Sequence, residues 1–145
     1  MNAEQSAQLE ILRSDFAQYA PRALKIKDKA GKIVPFELNE AQQKAWAMMK
    51  EQEQRTGKIR AIILKGRQQG LSTMTEGLFF QRTSLYKGRE AVVMAHKGDS
   101  SAAIFAMVKR YYENCPRSIK PKLTSSNAAE LKFGVLDSGY RVATA

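Results

Sequence analysis

Residues 62–73, Ile62-Ile63-Leu64-Lys65-Gly66-Arg67-Gln68-Gln69-Gly70-Leu71-Ser72-Thr73, constrain the chain more than any other stretch. The apolar run at residues 59–64 predicts a buried strand, the glycine-bounded polar segment a loop, and the residues from Leu71 onward a helix. That order suits an anion, because backbone N–H groups point outward where a loop enters a helix and the helix dipole favours negative charge there. Gly66 and Gly70 let the backbone approach a phosphate where a Cβ would obstruct it. Ser72 or Thr73 offers a hydroxyl of the kind that holds Mg²⁺ beside a bound polyphosphate.

The string departs from the P-loop pattern G-x-x-x-x-G-K-[ST]. Gly70 and Ser72 fit, but Leu71 stands at the lysine position and Lys65 at the leading glycine. Leucine cannot offset phosphate charge, and an uncompensated charge in a partly desolvated loop costs on the order of a few kcal/mol. Arg67 and Lys65 are the two cations within reach, Gln68 and Gln69 completing the loop. The competing reading is an ordinary strand, glycine-rich turn and helix.

Upstream, Asn39 with Gln42 three residues later predicts a capping box opening a helix over residues 39–56, which Gly57 closes. Its expected inner face carries Ala41, Ala45, Met48 and Gln52, and Trp46 reads as packing. Gln42 is then a capping partner, whereas Gln43 can present its amide to an adenine edge.

Lys65 to Thr73 resembles the deviant Walker A loop of the large terminase subunits of tailed bacteriophages, in which an early arginine accompanies or replaces the lysine. Phe36-Glu37-Leu38-Asn39-Glu40-Ala41-Gln42-Gln43 resembles the adenine-contacting Q motif of the same family, and the likeness runs on through Ala91–Lys97 to Arg141–Ala145. The resemblance implies ATP and Mg²⁺ as ligands of an ATP-driven motor that packages double-stranded DNA in a bacterial cytoplasm. It implies a small terminase subunit and a portal as partners, and a homo-oligomer in the full-length motor. It assigns nucleotide contact to Lys65, Gly66, Arg67, Gln68, Gln69, Gly70, Leu71, Ser72 and Thr73, adenine contact to Gln43 or Gln42, and metal contact to Ser72 or Thr73. In that family the Walker B acid pair and a nuclease follow the segment matching Arg141–Ala145, so the chain reads as the front of an ATPase domain, without turnover of its own. Asp137, in a turn region, is not a substitute.

The 145 residues suit about one domain. The expected division is an N-terminal arm at 1–23 and an incomplete P-loop ATPase-like domain at 24–145, with a hairpin at 24–37 and the loop at 65–73. The expected class is α/β: a partial P-loop parallel sheet with flanking helices. Leu9, Leu12 and Phe16 predict a helix over residues 3–19 that Pro21 ends. Residues 91–95 read as a buried parallel strand, closing a βαβ unit with residues 59–64. Asp99 or Ser100 would cap the next helix, and residues 130–133 and 140–144 read as strands.

A net charge of +10 points to a polyanion, nucleic acid first. One cysteine and one histidine give no basis for a disulfide framework or a zinc cluster, and no apolar run approaches the roughly 18 residues of a membrane span. Two other functions fit the same features: a helicase-like translocase with the same motif order, and a non-enzymatic basic DNA-binding module whose loop is only a turn.

Overall fold

The computed structural model describes residues 1–64 and 70–145. Helix α1 spans Ala3–Ser14 and α2 spans Phe16–Ala23. The single helix expected over 3–19 is thus two, broken at Asp15, which is extended and accepts a hydrogen bond from Ala17 N–H at 3.1 Å to cap α2. Pro21 does not stop α2 but sits inside it. Phe16, Tyr19, Ala20 and Ala23 are all buried on that short helix, and their packing outweighs the one ladder bond that proline removes.

The predicted hairpin is present. Strands β1 (Lys25–Lys27) and β2 (Ile33–Pro35) pair antiparallel, with Ile26 opposite Val34. Asp28 makes the turn by accepting from Ala30 N–H at 2.9 Å and Lys32 N–H at 2.8 Å, and Gly31 takes the left-handed φ of 83°.

Helix α3 (Glu40–Thr56) has the predicted boundaries, with Asn39 and Gln42 in a capping box and Gly57 left-handed at its end. Its buried side chains are Gln42, Trp46 and Met49, so the inner face lies one residue away from the predicted stripe, and Met48 faces solvent. Trp46 Nε1 donates to Asp15 Oδ1 at 3.1 Å, and that hydrogen bond fixes α3 against the start of α2.

Residues 59–64 do not form the predicted strand. The Arg60 backbone N–H donates to Gln52 Oε1 at 2.8 Å and its carbonyl accepts from Gln52 Nε2 at 3.1 Å, so an α3 amide occupies groups a neighbouring strand would have used. Ile62 and Leu64 are 96% and 97% exposed.

Helix α4 (Leu71–Leu85) is the central element, with nine buried residues from Leu71 to Ser84. Bidentate pairing of Arg82 with Glu53, both N–O distances 2.9 Å, ties it to α3. Gln81 Nε2 donates to Leu12 O at 2.7 Å and Tyr86 Oη to Arg13 O at 2.8 Å, which seats α1 along it. Gly77 allows α2 to come close, since a Cβ there would lie 2.8 Å from Leu24 Cδ1.

Strand β3 (Glu90–Ala95), helix α5 (Gly98–Glu113), and strands β4 (Ser125–Ser126), β5 (Glu130–Phe133) and β6 (Ser138–Thr144) follow. The sheet order is β3-β6-β5-β4, parallel only between β3 and β6, so the sheet is mixed and not the parallel one expected. The parallel crossover joins β3 to β6 through α5, one step later in the chain than predicted. Only Ala91 of β3 is buried, against the expectation of a buried strand. Lys97, not Asp99 or Ser100, is the residue before α5. Asp137 lies in a turn as expected, at a left-handed φ of 50°. Among the described residues no helix is long and apolar enough to cross a membrane.

Candidate nucleotide-binding site

Lys65, Gly66, Arg67, Gln68 and Gln69 lie outside the described residues. The structure describes the other predicted site residues: Gly70, Leu71, Ser72, Thr73, Gln42 and Gln43. Gly70 precedes α4 at φ 72° and ψ 15°, a left-handed conformation that costs other L-residues roughly 1–2 kcal/mol. Having no side chain, Gly70 itself gives α4 no cap of the kind that Asn39 gives α3. The positive end of a 15-residue helix is thereby presented at the loop exit.

Gln42 meets this point from the other segment. Its Nε2 donates to Gly70 O at 2.8 Å while its Oε1 accepts from Asn39 N–H at 2.8 Å. Two stretches 28 residues apart, each picked out from sequence, therefore share a hydrogen bond. Both ends of the buried Gln42 amide are engaged by backbone. Gln43 is exposed, with Nε2 donating to Leu38 O at 2.9 Å.

Leu71 is buried and packs into the core, which accounts for an apolar residue where the usual pattern has lysine. Ser72 is exposed and Thr73 half-buried. Thr73 is fixed by its carbonyl, which accepts from Tyr111 Oη at 3.0 Å. Among the described residues no group of three or more His, Cys, Asp or Glu is placed to hold a metal ion.

Glu76, one turn beyond Ser72, was not singled out from the sequence. It is 3% exposed and borders a cavity of about 430 Å³ between α4 and β3, together with Ser72, Thr75, Phe79 and Val93. The signal available was a charge falling on the buried side of α4, beside Met74 and Phe80. Its Oε2 has no hydrogen-bond partner among the described residues, and burial pushes the carboxyl from 4.5 up to about 7. The folded chain then holds a proton that the unfolded chain releases first. Glu76 stabilises the fold fully below about pH 4.5, and that contribution is lost as pH rises through about 7. We expect stability to fall by roughly 2–3 kcal/mol from this group between pH 5 and 8. Glu76→Gln should flatten the dependence. Urea unfolding of both proteins at the two pH values measures it, and parallel pH profiles would contradict the assignment.

No protein-family model matches this chain, and no curated protein is significantly similar to it.

Proposed function

We propose that this chain carries the nucleotide-binding portion of a P-loop ATPase of the terminase type, whose parent activity is ATP-driven translocation of double-stranded DNA during viral packaging. The observation that supports the reading is the Gln42–Gly70 hydrogen bond, which joins the glutamine segment to the exit of the glycine-bounded loop. Under this reading the polyphosphate sits at the N-terminus of α4, with Arg67 supplying positive charge and Lys65 as its alternate. Ser72 or Thr73 would contact Mg²⁺, which when bound offsets the charge on the phosphates. Gln43 would face the base. The described residues fit the group: a left-handed glycine, which itself gives the helix no side-chain cap, and a hydroxyl in the first turn.

Titration calorimetry with ATP and Mg²⁺ is the test. We expect weak binding, with a dissociation constant on the order of 0.1–1 mM. Arg67→Ala and Ser72→Ala should each weaken binding about tenfold or more, the scale of a lost hydrogen bond to a charged group. Binding unaffected by either change, with the fold intact, would rule the site out. DNA binding without any nucleotide binding would leave a basic DNA-binding module instead.

A further inference from the structure

The basic residues are not spread evenly over the chain. Residues 22–32 hold Arg22, Lys25, Lys27, Lys29 and Lys32 against one acid, Asp28. Residues 109–122 hold Lys109, Arg110, Arg117, Lys120 and Lys122 against one acid, Glu113. These 25 residues therefore carry a formal +8 of the chain's +10, and the remaining 120 residues are nearly neutral.

Helix α5, whose last turns carry Lys109 and Arg110, packs against β1, which carries Lys25 and Lys27. Ile26 packs towards the core, so by strand alternation Lys25 and Lys27 project from the opposite side of the ribbon. The segment after α5 is pinned back on the helix: Tyr112 Oη donates to Pro121 O at 3.2 Å, and Lys120 Nζ lies 4.5 Å from the Tyr112 ring centroid. The carboxylate of the hairpin run is occupied in its own turn, where Asp28 accepts from two backbone N–H groups. Six basic side chains elsewhere form ion pairs, whereas none of these ten does so among the described residues. Arg22, Lys27, Lys29, Lys32, Lys109, Arg117 and Lys122 are exposed, and Lys25, Arg110 and Lys120 half-buried.

We propose that this hairpin–α5 face is the docking surface for the phosphate backbone of double-stranded nucleic acid. The identification of the partner as DNA rests on the motor reading above, but the surface rests on charge placement alone. Three features favour a duplex over other polyanions. No large apolar side chain is exposed within the two runs, and Ile33, next to the first, is a single one, whereas membrane-binding surfaces need several to insert. No aromatic side chain is fully exposed within the two runs, and the half-buried Tyr112 ring is covered by Lys120, which disfavours stacking of unpaired bases there. Lys25 and Lys27 at alternate positions of β1, near the end of α5 with Lys109 and Arg110, suit phosphates contacted without reading bases.

The experiment is fluorescence anisotropy of a labelled 30-base-pair duplex with the 145-residue chain, without nucleotide, over 50–200 mM salt. Two triple variants are compared with wild type: Lys27→Glu with Lys29→Glu and Lys32→Glu, and Arg117→Glu with Lys120→Glu and Lys122→Glu. Lys44→Glu, on α3 and in a surface ion pair, is the control. Circular dichroism verifies folding in each, and the milder Lys→Gln set replaces any variant that unfolds. We expect each triple change to lower affinity at least about tenfold and to reduce the slope of log K against log salt by about 2–3, while the control changes neither. Unchanged affinity and slope in both triple variants would overturn the proposal. So would tighter binding to the single strand than to the duplex, or stronger binding to phosphatidylserine vesicles at matched charge. If nucleotide binding fails while the triple variants lose duplex, the surface stands and the motor reading falls. If ATP binds and the variants hold duplex like wild type, the reverse follows.

Discussion

Gly70→Val is expected to destabilise the fold by about 3–5 kcal/mol and to abolish the nucleotide binding proposed for the α4 N-terminus. Two separate costs combine. A β-branched residue at φ 72° is strained by its own backbone. In addition, a Cβ at this position would lie 2.6 Å from Gln42 Nε2, so the amide must leave and its 2.8 Å hydrogen bond to Gly70 O is lost. Gly57 separates the two terms, because it has φ 77° but nothing within 4 Å of a Cβ. Gly57→Ala should cost only the strain, about 1 kcal/mol. In a Gln42→Ala background the valine should cost about 1–2 kcal/mol less than in wild type, the signature of direct contact in a double-mutant cycle. Urea denaturation followed by circular dichroism measures all four variants. Equal costs at the two glycines would show that the Gln42 contact contributes nothing.

Phe80→Ala is expected to cost about 3–5 kcal/mol, a large share of the 5–15 kcal/mol that holds a typical domain folded. Phe80 is fully buried on α4. Its ring centroid lies 6.0 Å from that of Tyr111 on α5 and 6.4 Å from that of Phe133 on β5, the latter edge-on at 81°. One side chain thus joins the central helix, the crossover helix and the sheet, so the vacated space cannot close by moving a single element. Phe80→Leu keeps most of the volume and should cost under about 2 kcal/mol. A loss below about 1 kcal/mol for the alanine variant would mean that α4 and the sheet do not pack through this residue.

Helix α3 shows what local chemistry can settle. Asn39, Gln42 and Gly57 act on neighbours within one turn, and the observed limits match the caps predicted for them. The hairpin turn at Asp28 and Gly31 and the strands β5 and β6 were legible for the same reason. The inner face of α3 was not, because Ala41, Ala45 and Met48 form as regular a stripe as Gln42, Trp46 and Met49. Apolar content favours the first, but Asp15 meets Trp46 and selects the second. At the candidate site, the sequence picked out Gln42 and Gly70 separately but not the hydrogen bond between them, which depends on where α3 and α4 cross.

The sequence by itself determined the caps, the turns, the excess of positive charge and the order of a phosphate-loop-like motif, since each depends on residues a few positions apart. Only the tertiary structure decided that residues 59–64 stay out of the sheet with Arg60 held by Gln52 of α3, that the sheet is mixed, that Glu76 is buried with no partner for its Oε2 among the described residues, and that α5 packs against the basic strand β1. A strand exists only where another chain segment takes up its N–H and C=O groups, and a charge is compensated only by what stands beside it. In this chain Gln52 takes up the backbone of Arg60, and no acidic side chain pairs with the ten cations of the hairpin–α5 face among the described residues.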